Sequence, residues 1–190
     1  MARPVVRQES PYADALRAVA LAGLSVLLLS GCQTAKEAAN CPVANILAST
    51  ARLTKFKPNM DGDPAGELFT IQITGVKSGC SFDKDEGTTD ASLDITFRAT
   101  RPPTGAAANY TAPYFVAAVQ NGSSVISKKV LGTAFTFQPG EASLTFTENV
   151  PSIVTKFANG TKPYEYGLLV GLQLTREQFE YNTRLDPLEP

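Results

Sequence analysis

The chain has 190 residues, 43% of them hydrophobic and 18% charged, which predicts one packed domain and excludes a disordered chain. Its net charge of −1 lacks the basic footprint of a nucleic-acid binder. Histidine and tryptophan are absent, so the commonest general acid/base and the commonest metal ligand are missing.

Arg3, Arg7 and Arg17 precede an apolar run of twelve residues, Ala18 to Leu29. A helix needs about 20 residues to span the ~30 Å hydrocarbon layer, so this run is too short to cross it. A positive start, a short apolar stretch and then small residues read as a secretory signal peptide. An ordinary signal gives no reason for the cysteine that follows. Leu29-Ser30-Gly31-Cys32 resembles the lipobox of bacterial lipoproteins. That resemblance implies cleavage before Cys32 and a diacylglycerol in thioether linkage to its sulfur, the thiol being the nucleophile that accepts the lipid. The competing reading is an ordinary signal with an incidental cysteine. Two or three acyl chains, at about 0.8 kcal/mol per buried CH₂, anchor a protein stably where one does not. Gln33 is not the aspartate that retains lipoproteins in the inner membrane of enteric bacteria, so the outer membrane is the expected location. The leader contributes a net +1, so the 159 residues from Cys32 onward carry −2, and no headgroup or DNA attraction is expected from overall charge.

With Cys32 assigned to lipid, Cys41 and Cys80 remain as an even pair in an oxidising compartment, and a disulfide is expected. The sequence has no C-x-x-C for redox exchange and too few ligands for a zinc site. Eight residues, Gln33 to Asn40, separate the lipid from Cys41. Their reach is at most about 28 Å, so the domain sits near the membrane.

The segment from Cys41 to Lys57 reads as a helical turn leading into an edge strand. Period-2 alternation then dominates, in Glu67 to Val76 and again in Ala91 to Thr100. Tyr114 to Gln120 is more continuously apolar and reads as a central strand. Asn121-Gly122 is a strong two-residue hairpin signal, returning through Ser123 to Val130. Short strands are expected over residues 133–137 and 142–147, joined by the turn Gln138-Pro139-Gly140-Glu141. Tyr164 to Thr175 alternates most strictly. Thr175-Arg176-Glu177-Gln178 has capping-box spacing and predicts a short helix over 176–182.

Seven or eight strands with frequent turns predict an all-β fold, an antiparallel β-sandwich of immunoglobulin or fibronectin type III character with a short C-terminal helix. An up-and-down barrel is the alternative. The expected organisation is a signal peptide over 1–31, a tether over 32–40, the sandwich over 41–184 and a loose tail over 185–190. The stretches "PYFVAAV" and "VGLQLTREQFEYN" resemble a group of small alphaproteobacterial envelope lipoproteins with no assigned activity, over Cys41 to Arg184. The resemblance implies location and fold and adds no site residues.

For catalysis there is no G-x-S-x-G, no S-x-x-K and no histidine base. Ser127 and Lys128 adjoin on one strand and should point to opposite faces. Two acidic loops, Asp61, Asp63 and Glu67, then Asp83, Asp85, Glu86 and Asp90, carry oxygen ligands that suit calcium, without EF-hand spacing. They read first as solvated turn acids, and no metal or other cofactor is expected. Sequons at Asn109, Asn121 and Asn159 read as turns. Tyr164, Tyr166, Phe179 and Tyr181 either plug the end of the sandwich or form a candidate partner surface. The leading expectation is a non-catalytic lipoprotein, held to the membrane through Cys32, that binds or scaffolds another envelope component, most simply a protein. Carriage of an apolar ligand between the sheets is a second expectation, and hydrolysis a third.

Overall fold

The alternating segments become strands in a computed structural model that describes residues 41–103 and 105–185. Chain order is β1 (Val43–Ile46), β2 (Arg52–Phe56), β3 (Glu67–Asp83), β4 (Thr88–Thr100), β5 (Ala108–Gln120), β6 (Ser124–Phe137), β7 (Ser143–Lys156), β8 (Tyr166–Leu172) and α1 (Arg176–Leu185). Two four-stranded sheets form. Sheet I has the order β1-β8-β5-β6 and sheet II the order β2-β3-β4-β7. The arrangement is sandwich-like, and no single closed barrel is made. All neighbours are antiparallel except β1 and β8, which run parallel.

Alternation explains the core. In β4 the inward series Ala91, Leu93, Ile95, Phe97 and Ala99 is at most 1% exposed, while Asp94 and Arg98 between them face solvent. Ile71 from β3, Tyr114 and Val116 from β5, Phe137 from β6, and Leu168, Val170 and Leu172 from β8 complete it. Each such side chain contributes roughly 1.5–3 kcal/mol by leaving water. Asn121 and Gly122 both take positive φ, 52° and 74°, in a tight turn closed by the Ser123 amide donating to the Gln120 carbonyl at 3.3 Å; Gln120 pairs with Ser124, so three residues rather than the expected two connect β5 to β6.

Several elements differ from expectation. The segment from Cys41 to Lys57 is not one edge strand. It supplies β1 to sheet I and β2 to sheet II, joined through a single 3-10 turn at Ala48–Thr50. The strands expected at 123–130 and 133–137 are one strand, because Gly132 stays in register opposite Pro113. β3 runs past a register shift at Gly75 to Asp83, and β7 runs through Pro151 to Lys156. A proline is tolerated there because Pro151 lies in a bulge of this edge strand, unpaired opposite the register shift between Ala91 and Leu93.

Two features tie the ends together. Cys41 and Cys80 form a disulfide with Cα atoms 5.7 Å apart, linking the entry to β1 in sheet I with β3 in sheet II. Arg101, 8% exposed, donates from Nε to the Glu141 carbonyl and from Nη1 and Nη2 to those of Ala106 and Gln138, all at 2.8 Å. Its guanidinium also stands 4.7 Å from the centre of the Phe137 ring. A planar five-donor fork suits this convergence of carbonyls as a lysine could not.

The capping box forms: the Gln178 amide donates to Thr175 Oγ1 at 3.3 Å, and the Thr175 amide to Gln178 Oε1 at 2.9 Å. The helix continues to Leu185, three residues beyond the expected stretch.

Replacing both Cys41 and Cys80 by serine removes the constraint on a loop of about 40 residues, worth about 4 kcal/mol by loop entropy. The urea midpoint of the double variant is expected to fall by the equivalent of about 2–4 kcal/mol, and an unchanged midpoint would contradict a stabilising bridge.

Candidate interaction surface

Outer faces of a sandwich are ordinarily polar, and sheet II follows that rule. Asn149 Nδ2 donates to Asp94 Oδ1 at 2.7 Å, Ser152 Oγ to Asp90 Oδ1 at 2.7 Å, and the Thr96 and Thr147 hydroxyls meet at 3.4 Å. Sheet I does not. Directly paired residues share a face, so its register defines rows of side chains across the strands. The inward rows hold Leu168 with Ala118, Val170 with Val116, and Leu172 with Tyr114. One outward row reads Val43, Gly167, Val119, Val125. The next reads Asn45, Leu169, Ala117, Lys128, and the third Gly171, Phe115, Val130.

These outward rows contain no acid and one cation. Val43, Val125 and Val130 are 65%, 61% and 55% exposed, while Phe115, Ala117 and Val119 form a buried floor. The Lys128 ammonium lies 4.3 Å from the centre of the Phe115 ring, with its aliphatic stem available to cover apolar surface. Gly171 is required beside this floor: an added Cβ would meet Thr50 Oγ1 and come within 2.7 Å of the Phe115 ring. Both faces of β5 are therefore apolar over Phe115 to Val119, which explains why that strand reads as a continuous run.

The four aromatics expected to act together are separated. Tyr166 is 4% exposed; its hydroxyl accepts from the Ala158 amide at 3.0 Å and meets Thr161 Oγ1 at 3.0 Å, and its ring contacts Phe157. It is structural. Tyr164, 74% exposed, lines an open hollow with Val43, Asn121 and Leu169 at the start of β8. Phe179 and Tyr181 lie beyond the other end of that strand, on α1, where Tyr181 packs edge-on to Phe56 with centroids 5.1 Å apart.

One acid in each of the two loops holds backbone, while Glu67 and Asp90 accept from the Thr70 and Ser152 hydroxyls. Asp63 Oδ1 accepts from the Ala65 amide, and Asp83 Oδ1 from those of Asp85 and Glu86. Among the described residues no group of three or more Cys, Asp or Glu side chains is placed to hold a metal ion. Ser127 pairs with Ala118 on the inward face and Lys128 with Ala117 on the outward face, so the two cannot act as a dyad. Between the sheets, Ile71, Leu93, Phe97, Tyr114 and Leu168 belong to one cluster of buried side chains. A separate groove of about 280 Å³ lies where α1 meets β2 and β3, lined by Arg52, Gln72, Asn182 and Thr183, and Asn182 Nδ2 donates to the Arg52 carbonyl there at 2.7 Å. No helix among the described residues is long and apolar enough to cross a membrane. Cys32 and the leader lie outside the described residues.

Sequence reasoning missed one polar cluster. Thr133, fully buried, donates to Glu148 Oε2 at 3.0 Å. Burial, and secondarily the Glu148 carboxylate, pushes the Tyr114 hydroxyl up to about 12. The alternating pattern marks Tyr114 as inward; Glu148 shares the inward phase of Leu144, Phe146 and Val150 but lies one residue beyond the strand expected over 142–147.

No family model, curated protein or solved structure matches the chain.

Because the folded-state pKa of Tyr114 is raised, its contribution to stability is complete below pH 10 and is lost as pH rises from 10 to about 12. Absorbance at 295 nm should show a tyrosine ionising near 12 that disappears in Tyr114→Phe. Titration of every tyrosine near 10 in the folded protein would contradict the buried placement.

Proposed function

We propose that the chain is a non-catalytic lipoprotein of the bacterial cell envelope, anchored through lipid on Cys32, that binds or scaffolds another envelope component. The observation that carries this reading is Leu29-Ser30-Gly31-Cys32 at the end of a short apolar run. The Cys41–Cys80 disulfide supports it, because such bridges persist in exported proteins and are rare in the cytosol. The apolar outer face of sheet I supports residence at an envelope surface, since a contiguous exposed apolar patch marks a protein or membrane contact.

The domain itself is read as immunoglobulin-like. In that family two sheets, A-B-E-D and C-F-G, face each other. Taking β3, β4 and β7 as A, B and E, and β5 and β8 as C and F, reproduces the A-B-E and C-F neighbours. On this reading β1 stands in the place of strand G but runs parallel to F, β6 adds a strand beside C, the first sheet has no D, and β2 extends it beyond A.

Cys32→Ser should abolish membrane retention or leave the leader uncleaved, read by membrane fractionation and intact mass. A Cys32→Ser protein that is cleaved normally and still retained would overturn the anchor. The scaffold role is tested by co-purification after gentle solubilisation: a reproducible envelope component is expected, and repeated recovery of the chain alone would overturn that role.

A further inference from the structure

We propose that the outer face of sheet I lies on the lipid bilayer, so that the domain rests flat on the membrane and presents the polar face of sheet II away from it. The proposal rests on the lipid-anchor reading and adds an orientation to it.

Three observations carry it. The first is distance. Eight residues separate Cys32 from Cys41, a reach of at most about 28 Å, and Val43, two residues further, already stands in the outermost row of this face. A chain lipidated at Cys32 therefore holds this face within a tether's length of the headgroups. The second is chemistry. The three outward rows offer Val43, Val125, Val130 and Leu169 with small Gly167 and Ala117 between them, and Lys128 as the one charge. Lys129 follows it on β6, exposed on the other face of that strand. Glu165, at the rim, is already engaged by the Lys162 amide at 3.3 Å. Aliphatic side chains with a single lysine among them suit the boundary between acyl chains and anionic headgroups. Tyr164, at the rim of the same face, has the amphipathic ring favoured at that depth.

The third is shape. Protein interfaces concentrate their affinity in aromatic and arginine anchors seated in pockets. Here the exposed apolar side chains of the rows are valines, and the aromatic Phe115 is sunk into the floor beneath Lys128. Such a surface offers area without anchors, which a fluid bilayer can use and a rigid partner uses poorly.

The absence of tryptophan makes the orientation measurable, because one introduced indole is a unique reporter. Full-length protein carrying Val125→Trp, Val130→Trp or, on the opposite face, Thr147→Trp is purified with its lipid from membranes of a host that processes lipoproteins. Each is then reconstituted into phosphatidylethanolamine/phosphatidylglycerol vesicles with brominated acyl chains. Emission from Val125→Trp and Val130→Trp should drop roughly two-fold relative to unbrominated vesicles, as expected of groups within ~5–10 Å of the acyl boundary, while Thr147→Trp stays unchanged. If the protein floats with the vesicles and neither valine-site indole is quenched, the orientation is overturned and the anchor stands. Quenching at Thr147→Trp instead assigns the bilayer to the other face and likewise overturns the proposal. A photocrosslinker at position 130 that captures a second protein, with the indoles unquenched, gives the face to that partner. Protein that fails to float overturns the anchor and the orientation together.

Discussion

The parallel pairing of β1 with β8 is the contact on which the N-terminal half of the architecture depends. Val43 to Ile46 lie beside Gly167 to Val170, and the Leu47 amide extends the ladder to the Val170 carbonyl at 2.9 Å. Without this strand, β8 would present a bare edge with Leu168 and Val170 behind it. Four residues make a short ladder, and parallel pairs are slightly less stable per residue than antiparallel ones. Reinforcement comes from both ends. The disulfide holds the entry to β1 against β3, and the turn at Ala48–Thr50 is seated on Gly171, where any side chain would collide with Thr50. Once that turn is placed, β2 is delivered to the opposite sheet beside β3. One short segment thus closes an edge of each layer.

Sheet I also departs from the usual division between a dry inner face and a wet outer one. Its central strands are small or aliphatic on both sides, with Gly167, Leu169 and Gly171 outward on β8 and Phe115, Ala117 and Val119 outward on β5. Such two-sided apolarity is normal for a sheet covered on both faces and unusual for an antiparallel sheet with one face in water. Sheet II, with its cross-strand hydrogen bonds among Asp90, Asp94, Asn149 and Ser152, has the ordinary arrangement. The contrast between the two layers is what gives the domain a distinguishable front and back.

Much of this could be read from residue order alone. Strict alternation in Ala91–Thr100 and in Tyr164–Thr175, of which Tyr166–Leu172 forms the strand, the Asn121-Gly122 turn, the capping box at Thr175 and the pairing of Cys41 with Cys80 all depend on local chemistry, and local chemistry is visible in sequence. What escaped depends on neighbours. Whether Val43–Ile46 pairs with β8 or continues into β2 is decided by Gly171 making room for Thr50, a contact between residues more than a hundred positions apart. Pro151 looks like a strand breaker until it is placed in a bulge of the edge strand β7. The role of Arg101 is not visible in sequence, because the carbonyls of Ala106, Gln138 and Glu141 that it gathers converge only in three dimensions. The four C-terminal aromatics look clustered in sequence, yet β8 runs between them and carries them to opposite ends of a sheet.

The position of the disulfide also determines how the domain carries mechanical load. A pull applied through residues preceding Cys41 reaches the bridge before it reaches β1, and passes across it to Cys80 within β3. β3 is hydrogen-bonded to β4 from Thr70 to Asp83, Cys80 included, and to β2 over Glu67 to Gln72. Force therefore bypasses the four-residue parallel ladder, which would otherwise peel one pair at a time, and is shared over a long antiparallel seam loaded along its length. With the bridge reduced, the same pull would fall first on Val43 and unzip β1 from β8.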